Sequence, residues 1–442
     1  MLNFSGSGAR FCDGISRRGF LRVGTLSTGA LLGMNLSLGD LYRAAAAAEP
    51  TDRINSRPKS VINIHLNGGP SHLDMFDMKP DAPAEFRGEF EPTSSNVAGI
   101  QLNSLMPRLA KLADKWAVIR SITGVVDEHT PHQSESGFSE KDMKSVGGRP
   151  SFGSVVAKLH GASNGNVPRF VDVAGFSNPG FLGATYGGFR ADGKGRADLQ
   201  QRNDMPAERL QTRTSLLSQL DQTRRSLDNS HMMEAMDSFN HRALDVVTGG
   251  QMVEALNWEK ESAATKERYG IGSTGENGEQ KRFLLARRMI EVGARVVSLG
   301  FTGWDTHNDN FNQLRKKLPL IDAGLSALLT DLDERGLLQD TVILMTGEFG
   351  RTPRINNMAG RDHWSRASSA WIAGGGLKMG QLIGSTNRNG EAPQDRPVHL
   401  GEVFATLYHV LGIDPHTTTI NDPNGRPQYL TAKPDPIPEL IG

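Results

Sequence analysis

Cysteine is nearly absent from this 442-residue chain, and its single instance, Cys12, falls within the first dozen residues. With no second thiol there is no intrachain disulfide, no multi-thiolate zinc site and no iron–sulfur cluster. Net charge is absent too, since 49 Lys and Arg face 49 Asp and Glu. Such a balance gives no electrostatic reason to expect nucleic acid as a partner, and it separates the chain from strongly charged disordered proteins. Long apolar runs are also missing. The mildly apolar stretch 23–38 is broken by Gly24, Gly29, Gly33 and Asn35, and falls short of the ~20 residues a membrane span needs. What remains, 37% hydrophobic and 22% charged residues, is the composition of a globular protein with a large core, in one big α/β domain or two.

The first 48 residues read as a targeting segment. Ser16-Arg17-Arg18-Gly19-Phe20-Leu21-Arg22 is a twin-arginine run, followed by the mildly apolar stretch and by Ala44 to Ala48 with an A-x-A-like cleavage site. Export by the twin-arginine route, to the periplasm or beyond the cell, is the expectation, with no integral span after cleavage. Cleavage removes Cys12, five basic and two acidic residues, so the mature chain carries 44 basic against 47 acidic groups. That route carries folded proteins, which favours a chain assembled around a metal or cofactor.

From residue 49 onward, strand and helix patterns alternate. Strands are expected at 61–66, 117–122, 168–173, 294–301, 341–346 and 369–373, and helices at 102–116, 151–159, 280–291, 310–335 and 401–411. The first three elements, strand–helix–strand, suggest a βαβ unit, and Ser151 is placed to cap the later helix at 151–159. The alternation predicts a doubly wound, mostly parallel sheet with helices on both faces, in a single domain 49–442. A polar, helix-permissive stretch at about 198–269 reads as a helical insertion, and 178–195 as a Gly-rich loop.

In open sheets of this kind the ligand site lies beyond the carboxyl ends of the strands. Polar residues gather there. Asn67-Gly68-Gly69-Pro70-Ser71-His72-Leu73-Asp74 follows the first strand, and Asp127-Glu128-His129-Thr130-Pro131-His132 follows the second. Trp304-Asp305-Thr306-His307 follows residue 301. Gly347-Glu348-Phe349-Gly350-Arg351-Thr352-Pro353 and then Gly360-Arg361-Asp362-His363-Trp364 follow residue 346. Imidazole with carboxylate is the ligand chemistry of zinc, manganese and iron, with a further carboxylate orienting each imidazole. Ser71 fits either an activated nucleophile or a turn cap. Arg351, Arg354 and Arg361 fit either a phosphate or sulfate clamp or partners for nearby carboxylates.

These motifs, with the twin-arginine leader and Lys79-Pro80, resemble the exported bacterial family of domain of unknown function 1501, within the alkaline phosphatase and sulfatase superfamily. The resemblance spans nearly the whole mature chain. It implies hydrolysis of a phosphate or sulfate ester, small or polysaccharide, at a divalent metal site: zinc first, with manganese, iron or calcium as alternatives. Ser71 would then be the nucleophile, His72 or His129 would assist proton transfer, and Asp305, His307, Glu348, Asp362 and His363 would be metal ligands. Two positions depart from the superfamily pattern. Asn67 stands where a metal-binding aspartate is usual, and Phe349 where the late Asp-His-Gly motif has histidine. Ser56-Arg57-Pro58-Lys59-Ser60 lacks the arginine of the sulfatase signature, which argues against a formylglycine sulfatase. A non-catalytic envelope binding protein and a phosphate mutase or transferase are the alternatives on the same fold.

Overall fold

The computed structural model describes residues 59–161, 163–164, 167–191, 250–272 and 278–441. The expected leader 1–48 and most of the expected insertion lie outside the described residues. The centre of the fold is a nine-stranded sheet: β1 (Ser60–Leu66), β2 (Trp116–Thr123), β3 (Phe170–Asp172), β4 (Phe189–Arg190), β5 (Val296–Phe301), β6 (Thr341–Thr346), β7 (Ser368–Gly374), β8 (Gln381–Ile383) and β9 (Val398–His399). Their spatial order is β8-β2-β7-β6-β1-β5-β3-β4, with β9 continuing along β2 beyond β8. β7 runs antiparallel to both its neighbours and the other pairings are parallel. The expected α/β architecture with a mostly parallel sheet is therefore present.

Helices cover both faces, and strand alternation assigns each side chain to one of them. Ile62, Ile64 and Leu66 of β1 join a core with Phe283 and Met289 of α3 (Lys281–Glu291) and Leu325 and Leu328 of α4 (Asn310–Glu334). Val61 joins the opposite core, with Phe152 and Val156 of α2 (Phe152–His160) and Phe404 and Leu407 of α5 (Leu400–Val410). α4 runs through Pro319 and stops at Gly336, whose φ of 64° suits glycine and whose N–H returns to the Asp333 carbonyl at 2.9 Å.

Several expectations change. Residues 102–116 are not one helix: a short strand at Gln101–Asn103 gives way to single turns at Pro107–Ala110 and Ala113–Lys115. The buried Asp322 carboxylate of α4 accepts the N–H groups of Arg108 and Leu109, at 3.1 and 2.7 Å, so tertiary packing fixes this segment. Nor are β1 and β2 neighbours, because β6 and β7 stand between them, and the expected βαβ unit is absent. Ser151 does occupy the N-cap of α2, but its Oγ pairs with Ser154 Oγ at 2.9 Å and caps no backbone N–H. The loop 178–195 contributes the edge strand β4. Among the described residues no helix is long and apolar enough to cross a membrane.

Candidate metal centre

The carboxyl ends of β1, β2, β5 and β6 lead into four loops that meet. Asp127 and His129 come from the loop after β2, and Asp305 and His307 from the loop after β5. After β6 the chain makes a two-residue antiparallel ladder in which Arg351 faces His363, and this brings Asp362 and His363 back to the same edge. Two glycines allow the loops to close up. A Cβ on Gly68, whose φ is +115°, would run into the backbone of Asp305, and one on Gly360 would run into the His307 carbonyl.

Three imidazoles and one carboxylate converge. His129, Asp305, His307 and His363 each offer a ligand atom, all within 4.8 Å of one another. Nε2 of His363 lies 2.7 Å from Nε2 of His129 and 2.9 Å from Nε2 of His307. Asp305 Oδ1 is 3.0 Å from His307 Nε2 and 3.2 Å from His363 Nε2, and its Oδ2 is 3.4 Å from His129 Nε2. Two of the three remaining ring nitrogens go to carboxylates: His307 Nδ1 sits 2.7 Å from Asp362 Oδ1, and His363 Nδ1 sits 2.6 Å from Asp127 Oδ1. An Nδ1–H donated to a carboxylate leaves the Nε2 lone pair pointing inward.

This donor set fits a divalent cation. In the neutral rings the facing lone pairs of His307 and His363 repel, and the Asp305 oxygens add negative charge. A positive charge at the centre satisfies all four. Donors of a tetrahedral zinc site, bound at about 2.0–2.1 Å, stand about 3.3 Å apart, and the contacts of His363 and of Asp305 with the other donors, at 2.7–3.4 Å, bracket that spacing. The pocket is open, with His129 and Asp305 side chains each 42% exposed, as a site that admits a substrate requires.

The surroundings tune the donors. Burial works to raise the Asp305 carboxyl, but the hydrogen bond and charge of Arg351 outweigh it and hold Asp305 below the usual carboxylate range. Burial lowers the His129 imidazole more than nearby Asp305 raises it. The hydrogen bond from His307 keeps Asp362 low. Phe349 packs beside His363 and His129, ring centroids 4.5 and 5.3 Å away, so it walls the donors with hydrocarbon.

The other sequence-derived candidates lie elsewhere. Asp362 touches the outer nitrogen of His307 and orients that ring. Glu348 is fully buried and is not among the donors; its carboxylate accepts the N–H groups of Gly68 at 3.0 Å and Gly69 at 2.9 Å, and burial pushes its pKa up to about 7. Ser71 is buried, its Oγ donating to Asp74 Oδ2 at 2.7 Å and accepting the Asp74 N–H, which is turn-capping geometry. His72 is buried with Nε2 2.9 Å from the Gly390 carbonyl, outside the cluster.

Arg361 is consumed by a bidentate pair with Asp74, at 2.7 and 3.0 Å, and by the carbonyls of Thr352 and Phe86. Arg351 is buried on the carbonyls of Gly69 and Arg361 and on Asp305 Oδ1 at 2.5 Å. Arg354 is exposed, and its guanidinium bonds to no described residue. Asp127 carries no role in the sequence reading, although its place two residues before His129 in a His/carboxylate loop was a usable signal. His65, inside β1, gave no signal, because its neighbours are those of an ordinary buried strand.

No curated protein matches the chain. Among solved structures it is similar to the PsFucS1 sulfatase from Pseudoalteromonas sp., at 11% identity over 86% of this chain and 73% of that one, with a TM-score of 0.38. It is similar also to the phosphonate monoester hydrolase SpPMH from Silicibacter pomeroyi (10% identity, 81% and 73% covered, TM-score 0.36) and to the lipoteichoic acid synthase LtaP from Listeria monocytogenes (10% identity, 81% and 72% covered, TM-score 0.31). The family model for the protein of unknown function DUF1501 matches residues 58–441, and the chain belongs to that family.

Proposed function

We propose that this protein is an exported, metal-dependent hydrolase of phosphate or sulfate esters, with one divalent ion held by His129, Asp305, His307 and His363. The convergence of three Nε2 atoms on the Asp305 carboxylate carries this reading. The ester class rests on the resemblance of the strand-end motifs to the alkaline phosphatase and sulfatase superfamily, and zinc follows from the N3O donor set.

Asp362 and Asp127 hold His307 and His363 in the Nδ1–H tautomer, so that both present lone pairs to the centre. Arg351, anchored in buried carbonyls, fixes one oxygen of Asp305 and keeps it ionised. A bound divalent ion supplies Lewis acidity, polarising an ester oxygen and making water a nucleophile near neutral pH. The phenyl ring of Phe349 screens one side of the donors from water. Arg354, exposed and without an ion-pair partner among the described residues, on the same loop as Arg351, is placed to meet the anionic ester group. Ser71, tied to Asp74, has no part in the reaction.

Elemental analysis of the protein purified from its native compartment tests the reading. About one equivalent of metal is expected, lost together with ester hydrolysis in a His307→Ala, His363→Ala variant. Unchanged metal content in that variant would sink the site. Metal without turnover on phosphate and sulfate esters favours the envelope binding protein, a reading supported by Asn67 and Phe349 in place of ligands. Transfer of the phosphoryl group to an acceptor other than water points to the mutase or transferase.

A further inference from the structure

We infer that Glu348 is a positioning residue for the metal centre, acting on Asp305 through the Gly68–Gly69 turn and Arg351. The inference rests on the metal-centre reading and adds a residue to it. Glu348 has no exposed surface and, among the described residues, no Lys or Arg on its carboxylate; its hydrogen bonds come from the N–H groups of Gly68 and Gly69. The carbonyls of the same two glycines accept from the Arg351 guanidinium. The turn is thus clasped on its N–H side by the Glu348 carboxyl oxygens and on its C=O side by the Arg351 guanidinium. Arg351 extends the grip to Asp305 Oδ1 at 2.5 Å and to the Arg361 carbonyl at 3.0 Å, just before the Asp362–His363 pair.

The turn also touches the donor loop through its backbone. The Trp304 N–H donates to the Asn67 carbonyl at 3.0 Å, and no Cβ fits between Gly68 and Asp305. Behind Glu348, His65 Nε2 lies 3.8 Å from Oε1. His65 Nδ1 is 2.5 Å from Ser134 Oγ, which also donates to the Pro131 carbonyl at 3.0 Å. Ser134 lies on α1 (His132–Ser136), directly after the loop that carries His129. A buried file of hydrogen bonds, Glu348–turn–Arg351–Asp305, therefore reaches the donor carboxylate, with neutral His65 packed behind it and making no hydrogen bond to Glu348.

Stability alone does not account for a carboxylate here. A buried carboxyl group without a direct counter-ion costs more than a well-packed apolar side chain, whether it is ionised or protonated by its raised pKa, so its gain is sought in geometry. Metal ligands held from behind typically lose 10–100-fold in affinity when that support is removed.

The test uses the full chain, with zinc affinity measured by competition against a chromophoric chelator and geometry read from the cobalt-substituted visible spectrum. Glu348→Ala is expected to weaken zinc by about 10–100-fold and to shift the cobalt bands, with Glu348→Gln, which keeps one acceptor oxygen, in between. Arg351→Lys is expected to weaken zinc as well. Because both substitutions act along one path, the Glu348→Gln, Arg351→Lys double variant should fall short of the product of the two single effects. If Glu348→Ala does not fold, Glu348→Gln and the cycle decide. Unchanged affinity and spectrum in Glu348→Gln, or fully multiplicative effects in the cycle, would overturn the inference. His307→Ala is the separate control: if it binds zinc as tightly as the parent, the metal-centre reading itself fails, whereas loss of zinc there with an unaffected Glu348→Gln removes only the positioning role.

Discussion

The Nε2 atoms of His307 and His363 stand 2.9 Å apart, while the Nδ1 atoms of the same two rings rest on two different carboxylates, Asp362 and Asp127. The outer contacts fix the protons, and the inner contacts then demand a cation. It follows that Asp127→Asn and Asp362→Asn, which leave all four donors in place, weaken metal binding by about 10–100-fold each, and less than His307→Ala or His363→Ala do. Cobalt titration of the four variants checks the order. Equal affinity in Asp127→Asn and the parent would mean that the ring of His363 is oriented by something else.

Ser71 offers a sharp choice between two chemistries. Its Oγ is buried and shared between the Asp74 carboxylate and the Asp74 N–H. Ser71→Ala removes one neutral-to-charged hydrogen bond and is expected to cost about 1.5–3 kcal/mol of stability. Ester hydrolysis by the folded variant should stay within a few-fold of the parent. A drop of a thousandfold or more, at unchanged metal content, would make Ser71 the nucleophile after all.

Arg361 is predicted to matter through folding. Its guanidinium spans Asp74, the Thr352 carbonyl and the Phe86 carbonyl, fully buried, so it ties the segment after β1 to the hairpin that carries His363. Arg361→Ala leaves the Asp74 charge buried and unpaired and should cost about 3–5 kcal/mol. Replacing both, Arg361→Met with Asp74→Leu, should recover part of that loss. Chemical denaturation of the three proteins measures it, and equal loss in the single and double variants would contradict the pairing.

The long elements were legible because each carries its own period. β1, β5 and β6 are continuous apolar runs, and α3 and α4 show helical stripes, so tertiary context had little to override. The segment 102–116 misled because Leu102, Leu105, Met106 and Leu109 have helical spacing, yet Asp322, more than two hundred residues away, supplies the capping. Two- and three-residue strands such as β4, β8 and β9 have no period to read and exist only as additions to a formed edge. At the site, the loop rule placed His129, Asp305, His307 and His363 on one rim, but spacing could not say which nitrogen of each ring faces inward. For His363 and His307 the outer contacts with Asp127 and Asp362 answer it, and nothing local in sequence separates such an orienting carboxylate from a ligand. Glu348 looked like a ligand in sequence because nothing local reveals that the Gly68–Gly69 turn takes its carboxylate.

Two buried groups on the polar side of β1 give the fold a pH dependence of opposite sign at each end. Glu135 on α1 has one oxygen on Ser298 Oγ at 2.8 Å and the other unpaired, and burial raises it from 4.5 to about 8. A carboxyl raised on folding is more protonated in the native state, so its contribution is full below pH 4.5 and is lost as pH rises toward 8. Burial lowers His65 from 6.5 to about 3, so the unfolded chain takes up the proton first, and stability falls as pH drops from 6.5 toward 3. At about 1.4 kcal/mol per unit, each shift amounts to a few kcal/mol. In metal-free protein, Glu135→Gln should therefore gain stability over the parent steadily from pH 5 to 8, and His65→Gln should gain from pH 6 down to 4. Thermal melts of the three proteins across that range show both slopes if the assignments hold. A Glu135→Gln difference that stays flat with pH would place the carboxylate in contact with water, and would open the polar layer that connects α1 to the sheet.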